Sequence, residues 1–365
     1  MAVDTEPLAK WLSHSTNNDH PRDAGADWNP EEEREQQLFE ELVSRYESAL
    51  CTSADLETMK IRPRAPLMGK WMKEGDLGFV YGERGGGKTW LVDAIVTHLS
   101  TGKELHGWEV PEAIDIIYVD GEMPADACRD RLMGLAPKNK RLFVLHHELL
   151  FEKTGLIMNL TDPKVQRVLT DLCIRKKVKM LVLDNLSCLF RDMKENDADE
   201  WEKVLNWLLD LRRRRVSVLI VAHGSRSGTM RGTSRREDAA FWVIKVEPLA
   251  DRAPDERGAY FETTFQKQRN SDFQEWPRKW TFKTESDGKV TIGCDEVSFD
   301  EKVMQLIQDG LTSVTDIAEA VGRDKSVVSR ACTRLVESKL IEKSGRSYAA
   351  RGLMKKTNGA TNHPG

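Results

Sequence analysis

Short apolar runs alternate with amphipathic stretches over residues 61–292, and this alternation predicts strands separated by helices. Five of the runs precede a helical pattern, which is typical of a parallel sheet, and they lie at 77–81, 115–119, 142–145, 180–183 and 216–222. Four later strands lack intervening helices and are expected at 240–246, at 260–266 and on both sides of the turn Asp287-Gly288. The pattern predicts an α/β domain whose mainly parallel sheet carries an antiparallel extension.

The segments on either side of this domain have different patterns. Asn29 and Pro30 suit the start of a helix, and an apolar stripe follows at helical spacing. The stripe consists of Leu38, Phe39, Leu42, Val43, Tyr46 and Leu50, and we expect it to be buried against its own subunit or a neighbouring one. The predicted organisation is an acidic N-terminal segment (1–60), an α/β domain (61–297), a small helical domain with a β-hairpin (298–350) and a disordered basic tail (351–365).

Composition excludes several classes of protein. With 39% apolar residues the chain can build a substantial core, and 31% of its residues are charged. No apolar stretch approaches the ~20 residues that cross a bilayer, so a membrane protein is excluded. The six cysteines include no CxxC pair, which excludes a zinc ribbon and fits a reducing compartment. The chain does not open with a secretory signal, so we expect a cytoplasmic protein.

Charge is distributed unevenly along the chain. The net charge is −4, yet residues 1–60 carry 14 acidic and 5 basic side chains, whereas residues 323–365 carry 10 basic and 3 acidic ones. A basic surface of this kind is suited to nucleic acid, and an acidic arm is suited to solvent or to a partner.

The residues after the first predicted strand carry the most specific motif. Residues 82–90 read GERGGGKTW, which matches G-x-x-x-x-G-K-[ST] between a strand and a helix. Backbone N–H groups of such a loop surround phosphate oxygens, while the lysine reaches the β- and γ-phosphates and the threonine hydroxyl binds Mg²⁺. The predicted binding residues for ATP with Mg²⁺ are Gly82, Glu83, Arg84, Gly85, Gly86, Gly87, Lys88, Thr89 and Trp90.

Two further strands end in carboxylates. Asp184 follows the apolar run 180–183, which is the pattern of an acid that holds Mg²⁺ together with Thr89. Asp120 and Glu122 follow the run 115–119, and the carboxyl ends of parallel strands open onto one crevice. Glu122 is favoured as the group that polarises the attacking water because it lies beyond the strand, and Asp120 is expected to shape the turn.

These motifs resemble the RecA-fold hexameric ATPases, and most closely the RepA-like and DnaB-like replicative helicases of plasmids and phages. The resemblance covers about residues 68–292. It implies a RecA-like P-loop NTPase core in which Glu122 is the catalytic glutamate and Asp184 is the Walker B acid. It further implies that His223, after the next strand, senses the γ-phosphate.

The same resemblance implies residues that act between subunits. Arg231 matches an arginine finger for the neighbouring nucleotide, and Lys267 and Arg269 match a pair that enters the adjacent subunit's site. A P-loop neutralises only part of the triphosphate charge, so an added arginine stabilises the transition state and makes hydrolysis depend on a ring or filament. The alternative for each is a solvated basic loop residue. Thr233 in place of a serine and the absence of a glycine after Asn270 depart from the family pattern.

Two basic segments are candidates for contact with DNA. The loop after His223 is rich in Gly, Ser and Thr, and it can track a single-stranded backbone through Arg226, Arg231, Arg235 and Arg236. Residues 190–196 are expected to form a first such loop. The run at 212–215 closes a helix, where cations meet the helix dipole favourably, so it is more simply a helix terminus.

The adjacent residues His146 and His147 have no third ligand at metal-binding spacing, so no metal other than Mg²⁺ is expected. Most of the ten tryptophans have apolar neighbours and are expected to pack in the core.

The C-terminal segment resembles a winged helix-turn-helix. One helix ends at Gly322, a second is predicted over 326–339, and a wing follows it. The outward face of the second helix and the wing carry residue types that contact phosphates and groove edges. The predicted DNA-binding residues here are Lys325, Ser326, Ser329, Arg330, Arg334, Lys343 and Arg346. Such modules also dock proteins, and the basic charge favours DNA.

The sequence as a whole predicts an ATP-driven DNA helicase or translocase, a homo-oligomer that forms a hexameric ring around single-stranded DNA, with an initiator or primase as a further partner. The alternative is a DNA-binding regulator or recombination mediator that ATP switches without unwinding. A binder with a vestigial nucleotide site is disfavoured because Lys88, Thr89, Glu122 and Asp184 are all present.

Overall fold

The computed structural model describes residues 30–191, 193, 198–225, 230, 235–249, 258–270, 275–321, 323–345 and 347–350. It divides into two compact units, Met1–Pro63 and Arg64–Gly365. In the first unit, helix α1 (Pro30–Ala49) confirms the predicted N-terminal helix, and a short helix α2 (Ser53–Thr58) follows it. Thr52 and Asp55 cap α2 reciprocally, since each side chain accepts the other's backbone N–H.

The second unit is built on a large mixed sheet. Among the described residues its strands are β3 (Leu77–Gly82), β4 (Ile116–Asp120), β5 (Leu142–His146), β6 (Met180–Asp184), β7 (Ser217–His223), β8 (Trp242–Pro248), β9 (Gly258–Gln268), β10 (Arg278–Thr284) and β11 (Val290–Glu296). A small antiparallel pair, β1 (Pro66–Met68) and β2 (Met72–Lys73), precedes them. Every predicted strand is present, with ends that differ by one or two residues from the prediction.

Strand order in the large sheet is β11-β10-β9-β8-β3-β7-β6-β4-β5. The strands from β8 to β5 pair in parallel, and β9, β10 and β11 extend the sheet antiparallel. This confirms the predicted α/β fold class, a RecA-like core with an antiparallel extension. Because β3 pairs with β7, and β7 with β6, three loops that carry candidate chemistry lie at one edge of the sheet.

Helices cover both faces of the sheet. One face packs against α3 (Lys88–Thr101) and α4 (Ala125–Leu135), and the other packs against α6 (Pro163–Arg175) and α8 (Ala198–Arg213). Side chains of β3 alternate between these layers, with Val80 in one apolar core and Phe79 and Tyr81 in the other. Shorter helices α5 (His147–Thr154), α7 (Leu186–Leu189) and α9 (Arg235–Ala239) connect the larger elements. This two-sided burial explains why the parallel strands are continuous apolar runs.

Tryptophans occupy the centre of the core, as the sequence predicted. Trp71 is fully buried, and its ring meets the rings of Trp108, Trp242 and Phe265 edge-on with centroids 5.1, 4.9 and 5.2 Å apart. Aromatic pairs at such distances add to the stability that area burial supplies.

The C-terminal segment forms three helices and a hairpin: α10 (Phe299–Gln308), α11 (Val314–Val321), α12 (Lys325–Glu337), β12 (Ile341–Ser344) and β13 (Ser347–Ala350). Its own apolar core includes Val303, Ile317, Val328 and Leu335. It belongs to the same compact unit as the sheet, and Phe299 meets Trp276 with ring centroids 5.6 Å apart. The helices and the hairpin predicted from the sequence are therefore present.

None of the helices among the described residues is both long enough and apolar enough to span a bilayer.

Candidate active site

The glycine-rich loop joins β3 to the first turn of α3. Gly87 caps α3 with a φ of +101°, a conformation that side chains with a Cβ rarely adopt. A Cβ at Gly87 would also lie 2.2 Å from the ring of Phe261, so only glycine fits. The first backbone N–H groups of α3 are thus presented at the loop, and the helix dipole adds partial positive charge there.

Lys88 lies inside the loop. Its side chain is 6% exposed, and its Nζ donates hydrogen bonds to the carbonyls of Gly82 (3.1 Å) and Glu83 (2.6 Å). Burial lowers the pKa of Lys88, while the carboxylates of Asp184 and Glu122 act in the opposite direction. The ammonium group is therefore held at the loop and next to two acidic groups, which suits a cation that binds phosphate.

Asp184 ends β6 beside the loop and is 2% exposed. Its carboxylate accepts hydrogen bonds from the hydroxyls of Tyr118, at 3.0 Å, and Thr89. Burial, together with the charge of Asp120, raises the pKa of Asp184 to about 7. Among the described residues its Oδ1 has no hydrogen-bond partner. A buried carboxylate oxygen left open beside a threonine hydroxyl fits Mg²⁺, which prefers hard oxygen ligands.

The two acids of the turn after β4 have different surroundings. Asp120 is 1% exposed, and its Oδ1 accepts the backbone N–H groups of Glu122 (2.9 Å) and Met123 (3.0 Å), so it shapes the turn. The side chain of Glu122 is exposed at the loop, where a water molecule can approach it. Asn185 Nδ2 donates to Glu122 Oε2 and lies 3.3 Å from His223 Nε2.

Asn185 therefore connects two predicted catalytic residues, and the sequence analysis missed it. Its side chain is fully buried. The available signal was its position directly after Asp184 at the carboxyl end of β6, where the side chain faces the same crevice as the acid.

Side chains from the corner between β5 and α5 also hold the turn that carries Glu122. His146 Nε2 lies 2.8 Å from the carbonyl of Met123, and Glu148 Oε2 accepts the N–H of Ala125 at 2.8 Å. His146 Nδ1 accepts the N–H of Glu148 at 3.2 Å. His146 ends β5 and His147 begins α5, so the predicted position of the two histidines at the end of a strand is confirmed.

The fold does bring two potential metal ligands to His146 that are distant in sequence. One atom each of Asp120, Cys128 and His146 lie within 4.8 Å of one another, and all three residues are buried. Burial raises the pKa of the Cys128 thiol well above its usual range, and the thiol is hydrogen-bonded to Asp120. Both ring nitrogens of His146 contact backbone atoms, one the carbonyl of Met123 and the other the N–H of Glu148. We therefore assign Asp120, Cys128 and His146 to holding the turn in place.

One cavity of about 370 Å³ gathers most of the predicted site. Its lining consists of Arg84, Gly85, Gly86, Gly87, Lys88, Thr89, Trp90, Glu122, Met123, Pro124, Arg131, Asp184 and His223. Arg131 was not predicted because it lies on α4, well beyond any local motif. Its guanidinium carbon is 4.2 Å from the centroid of the Trp90 ring, and Nη1 lies 3.7 Å from the buried carboxylate of Asp93.

Lys267 and Arg269 are not brought to this cavity. Gln268 pairs with Trp242, and Trp242 pairs with Gly78 near the start of β3, so the end of β9 lies at the opposite edge of the sheet from the P-loop. Lys267 Nζ donates to the backbone carbonyls of Glu237 and, at 3.3 Å, Asp238. Arg269 is exposed at this edge. Neither residue contributes to the nucleotide site of its own chain.

The candidate DNA-binding loop after β7 is described only in part. Arg226, Arg231 and the side chain of Arg235 lie outside the described residues. Arg236 requires a correction: it is 1% exposed, and its guanidinium carbon is 5.1 Å from the centroid of the Trp201 ring. Because its side chain packs inside the protein, it does not face DNA in this structure.

The arginines at 212–215 contact other parts of the protein, which agrees with the prediction that they form a helix terminus and not a DNA-binding patch. Arg212 lies over the ring of Phe241, with its guanidinium carbon 4.5 Å from the centroid. Arg214 pairs with Asp210 at 2.8 Å, and Arg215 pairs with Glu74 at 3.0 Å. These contacts stabilise the end of the helix within the protein.

On the C-terminal module, the predicted contact residues are largely exposed. Lys325, Ser326, Ser329 and Arg330 are exposed on α12, and Lys343 is exposed on β12, while Arg346 lies outside the described residues. Arg334 differs from the expectation because its guanidinium makes two hydrogen bonds, of 2.7 and 2.6 Å, to the carboxylate of Asp300 on α10. This surface pair links two helices of the module.

A RecA-like sheet with the loop, lysine and two carboxylates at one edge defines a P-loop ATPase. The model of the AAA domain family matches residues 43–229, just over half of the chain. The chain belongs to this family of AAA domain ATPases. None of the curated proteins matches it.

Solved structures with a similar arrangement include a KaiC-like protein from the hyperthermophilic archaeon Pyrococcus horikoshii, with 13% identity, a TM-score of 0.42, and 61% of this chain and 91% of that chain covered. Another is the flagellar accessory protein FlaH from Methanocaldococcus jannaschii, with 11% identity, a TM-score of 0.41, and 60% and 90% covered. Similarities at this level carry no functional information.

Proposed function

We propose that the protein is an ATP-hydrolysing, oligomeric DNA helicase or translocase of the RepA-like type that acts in plasmid or phage DNA replication. The observation that carries the ATPase part is the cavity in which Lys88, Thr89, Glu122, Asp184 and His223 meet. These residues come from the first turn of α3, from the turn after β4 and from the ends of β6 and β7, so the fold and not a local motif assembles them.

Each residue has a defined task in this proposal. The loop and Lys88 bind the phosphates, and Thr89 and Asp184 would hold Mg²⁺, which neutralises phosphate charge when it is bound. Glu122 orients the attacking water and accepts a proton from it. Asn185 holds the carboxylate of Glu122 and connects it to His223, so a change at the γ-phosphate position can reach both side chains.

The position of Lys267 and Arg269 supports a site shared between subunits. They lie at the sheet edge opposite their own P-loop, so only another chain's nucleotide is within their reach. Arg64 and Arg212 both lie 4.5 Å from the centroid of the Phe241 ring, close to Arg269. The buried carboxylate of Asp76 pairs with Arg64 and neutralises part of this positive charge. A head-to-tail ring, which we take to be hexameric, would place this edge against the neighbour's γ-phosphate.

The C-terminal module is the proposed contact with duplex DNA. Its three helices and hairpin have the order of a winged helix-turn-helix, and α12 exposes Lys325, Ser326, Ser329 and Arg330 along one face. Lysine and arginine on such a helix contact phosphates and groove edges. Single-stranded DNA in the bore of the ring and an initiator or primase at its face complete the proposed set of partners.

One observation favours the alternative, a DNA-binding regulator or recombination mediator that ATP switches without unwinding. The module packs on the antiparallel part of the sheet, where Lys302 Nζ lies 3.8 Å from Glu262 Oε1 and Arg323 lies over the ring of Trp276. Module and nucleotide domain therefore share one compact unit, so nucleotide state can alter DNA binding directly.

The test compares ATP hydrolysis without DNA, with single strands and with duplex, and then strand separation on a forked duplex. Wild type is measured beside Lys88→Ala, Glu122→Gln and Arg231→Ala. Stimulation by single strands together with unwinding, both lost in Lys88→Ala, is the expected result. Stimulation by duplex alone, without strand separation, would move the conclusion to the regulator.

A further inference from the structure

The turn that carries Glu122 is fixed at its start by groups at the sheet edge. The N–H of Gly121 donates to the carbonyl of Asp184 at 2.7 Å, and Asp120 Oδ1 accepts the N–H groups of Glu122 and Met123. These contacts come from the ends of β4 and β6 and hold the backbone as far as the N–H of Met123. The part of the turn that follows, where the chain runs into α4, is held from a different element.

The cap of α4 comes from another helix. Its N-cap residue is Pro124, whose side chain has no hydrogen-bond acceptor for the first turn. Ala125 is the first residue of the helix, and the N–H of a residue at that position has no partner within the helix. Glu148 Oε2, on α5, accepts this N–H at 2.8 Å. A carboxylate at this place is also favoured by the positive end of the helix dipole, so Glu148 takes the role that Pro124 cannot.

A buried histidine orients Glu148 and contacts the same turn. His146 is 2% exposed, and its Nδ1 accepts the N–H of Glu148 at 3.2 Å. A neutral imidazole that accepts through one nitrogen donates through the other, so Nε2 donates to the carbonyl of Met123, which lies 2.8 Å away. The ring of His147 stacks on that of His146 with centroids 4.8 Å apart. The corner between β5 and α5 therefore holds the turn at two successive points, the carbonyl of Met123 and the N–H of Ala125.

We propose that Glu148 is a positioning residue for ATP hydrolysis, which caps α4 and thereby fixes the end of the turn from which Glu122 projects. The side chain of Glu122 is exposed, so its place depends on the backbone of the turn and on the contact with Asn185. A general base acts only within hydrogen-bond reach of the water, and a misplacement of about 1 Å can lower a rate by ~10²-fold. Loss of the cap frees the backbone directly after Glu122, so it should affect the chemical step more than nucleotide binding.

This inference rests on the proposed hydrolysis of ATP through Glu122, and it does not depend on helicase activity. The full chain is assayed with single-stranded DNA present for the rate of single-turnover ATP hydrolysis, for equilibrium binding of ATP and for the midpoint of thermal unfolding. Single-turnover conditions separate the chemical step from product release.

The variants remove the same hydrogen bond from its two ends. Glu148→Ala removes the acceptor, whereas Glu148→Gln keeps an oxygen that can accept the N–H. Ala125→Pro removes the donor at the first helical position, where proline is tolerated because its missing N–H has no helical partner. Glu152→Ala is the matched control, since Glu152 is exposed one turn further along α5.

Glu148→Ala and Ala125→Pro are each expected to lower the hydrolysis rate roughly ten- to hundredfold while ATP affinity stays within about twofold of wild type. Glu148→Gln should retain most of the rate, and Glu152→Ala should match wild type. The combination of Glu148→Ala with Ala125→Pro should be no slower than the slower single variant, because both remove the same contact. In a Glu122→Gln background, Glu148→Ala should cause no further loss of rate.

Wild-type hydrolysis in Glu148→Ala would overturn the inference, whatever its unfolding midpoint, because Glu148 would then only stabilise the fold. Equal loss in Glu148→Gln would overturn it as well, since the charge and not the hydrogen bond would then matter. Further loss in the Glu122→Gln background would show that Glu148 acts on another group. If Glu148→Ala fails to fold, wild-type hydrolysis in Ala125→Pro overturns the inference and a slowed rate supports it. Failure of the proposed function gives a different result, namely full hydrolysis in Glu122→Gln.

Discussion

Three buried carboxylates lie side by side behind the P-loop: Asp93 on α3, Asp120 at the end of β4 and Asp184 at the end of β6. Burial is the main cause that raises the pKa of Asp93, well above its usual value, and that of Asp184, to about 7. The nearby cations Lys88 and Arg131 compensate only part of this. The site is therefore built at a cost in stability, which is common where a protein must bind a cation.

Replacing Asp184 with asparagine should stabilise the protein in the absence of Mg²⁺ and nucleotide. A carboxyl group with a folded pKa of about 7 binds its proton more tightly in the native state, so its presence lowers stability as pH rises from about 4 to about 7. Asp184→Asn should therefore raise the midpoint of thermal unfolding, by more at about pH 8 than at about pH 5, with a gain on the order of a few kcal/mol at the higher pH. Asp171→Asn is the control: the Asp171 side chain is 50% exposed and pairs with Arg175 on the surface of α6, so its substitution should show no such pH dependence. A lower midpoint for Asp184→Asn at about pH 8 would refute this account of the site.

Glu122→Gln should lower the turnover number for ATP by roughly 10²–10⁴-fold while leaving the affinity for nucleotide close to that of wild type. The amide keeps the size of the side chain and its contact with Asn185 but cannot take up a proton. Steady-state hydrolysis and equilibrium binding of ATP measure the two quantities separately. Glu112→Gln, at an exposed position outside the site, should leave both unchanged. A Glu122→Gln protein with normal turnover would show that another group activates the water.

Whether a residue of the site could be predicted depends on whether it belongs to a contiguous sequence motif. Lys88, Thr89, Asp184 and Glu122 could be predicted because each follows an apolar strand and belongs to a contiguous motif. Arg131 could not, because its place beside Trp90 depends on how α4 packs against α3. Arg236 was misassigned for a related reason: a basic residue in a polar segment reads as exposed until the packing of α9 against Trp201 is known.

At the scale of elements, the P-loop depends on contacts from a strand far along the chain. Phe261 on β9 fills the space beside Gly87, so the antiparallel extension of the sheet packs against the nucleotide loop and supports it. The strands themselves were predictable within one or two residues because burial on both faces gives continuous apolar runs. Their order was not, since the pairing of β3 with β7 and β8 depends on packing between distant segments.

Gly87→Ala should abolish measurable ATP binding and lower the free energy of unfolding by more than about 1 kcal/mol. Both the positive φ of +101° and the clash with Phe261 oppose the added Cβ. The matched control is Gly155→Ala, where φ is +70° and no atom lies within 4 Å of the added Cβ. The control should lose some stability but retain full ATP affinity by calorimetry. Wild-type affinity in Gly87→Ala would contradict the assigned loop geometry.

At the scale of the whole molecule, the proposal joins a nucleotide edge, an opposite edge that exposes Arg269, and a C-terminal module that exposes Lys325 and Arg330 on α12. The sequence indicated all three through motifs and charge, yet only the register of β9 against β8 shows that Lys267 and Arg269 lie away from their own P-loop. That placement follows from a strand pairing that no local pattern encodes.

The double variant Lys325→Glu with Arg330→Glu should weaken binding to duplex DNA and reduce the slope of log affinity against log salt by about 1 per lost phosphate contact. Both side chains are exposed on α12, so folding should be unaffected. Fluorescence anisotropy with labelled duplex at several salt concentrations measures this. The double variant Lys164→Glu with Arg167→Glu is the control for charge alone, since both residues are exposed on α6 and the net charge changes by the same amount. An equal loss in the control would assign the effect to net charge and remove the module's DNA-binding role.

The account's central claim is that one chain holds the triphosphate and the next chain completes the site. Mixing two inactive variants, Lys88→Ala and Arg269→Ala, tests it most directly, with ATP hydrolysis measured in the presence of single-stranded DNA. Each variant alone should be nearly inactive, and a freshly assembled equal mixture should regain up to about a quarter of wild-type turnover, because some interfaces then pair an intact Lys88 with an intact Arg269. A mixture no more active than its separate components, or an Arg269→Ala protein that hydrolyses ATP at the wild-type rate, would contradict the claim.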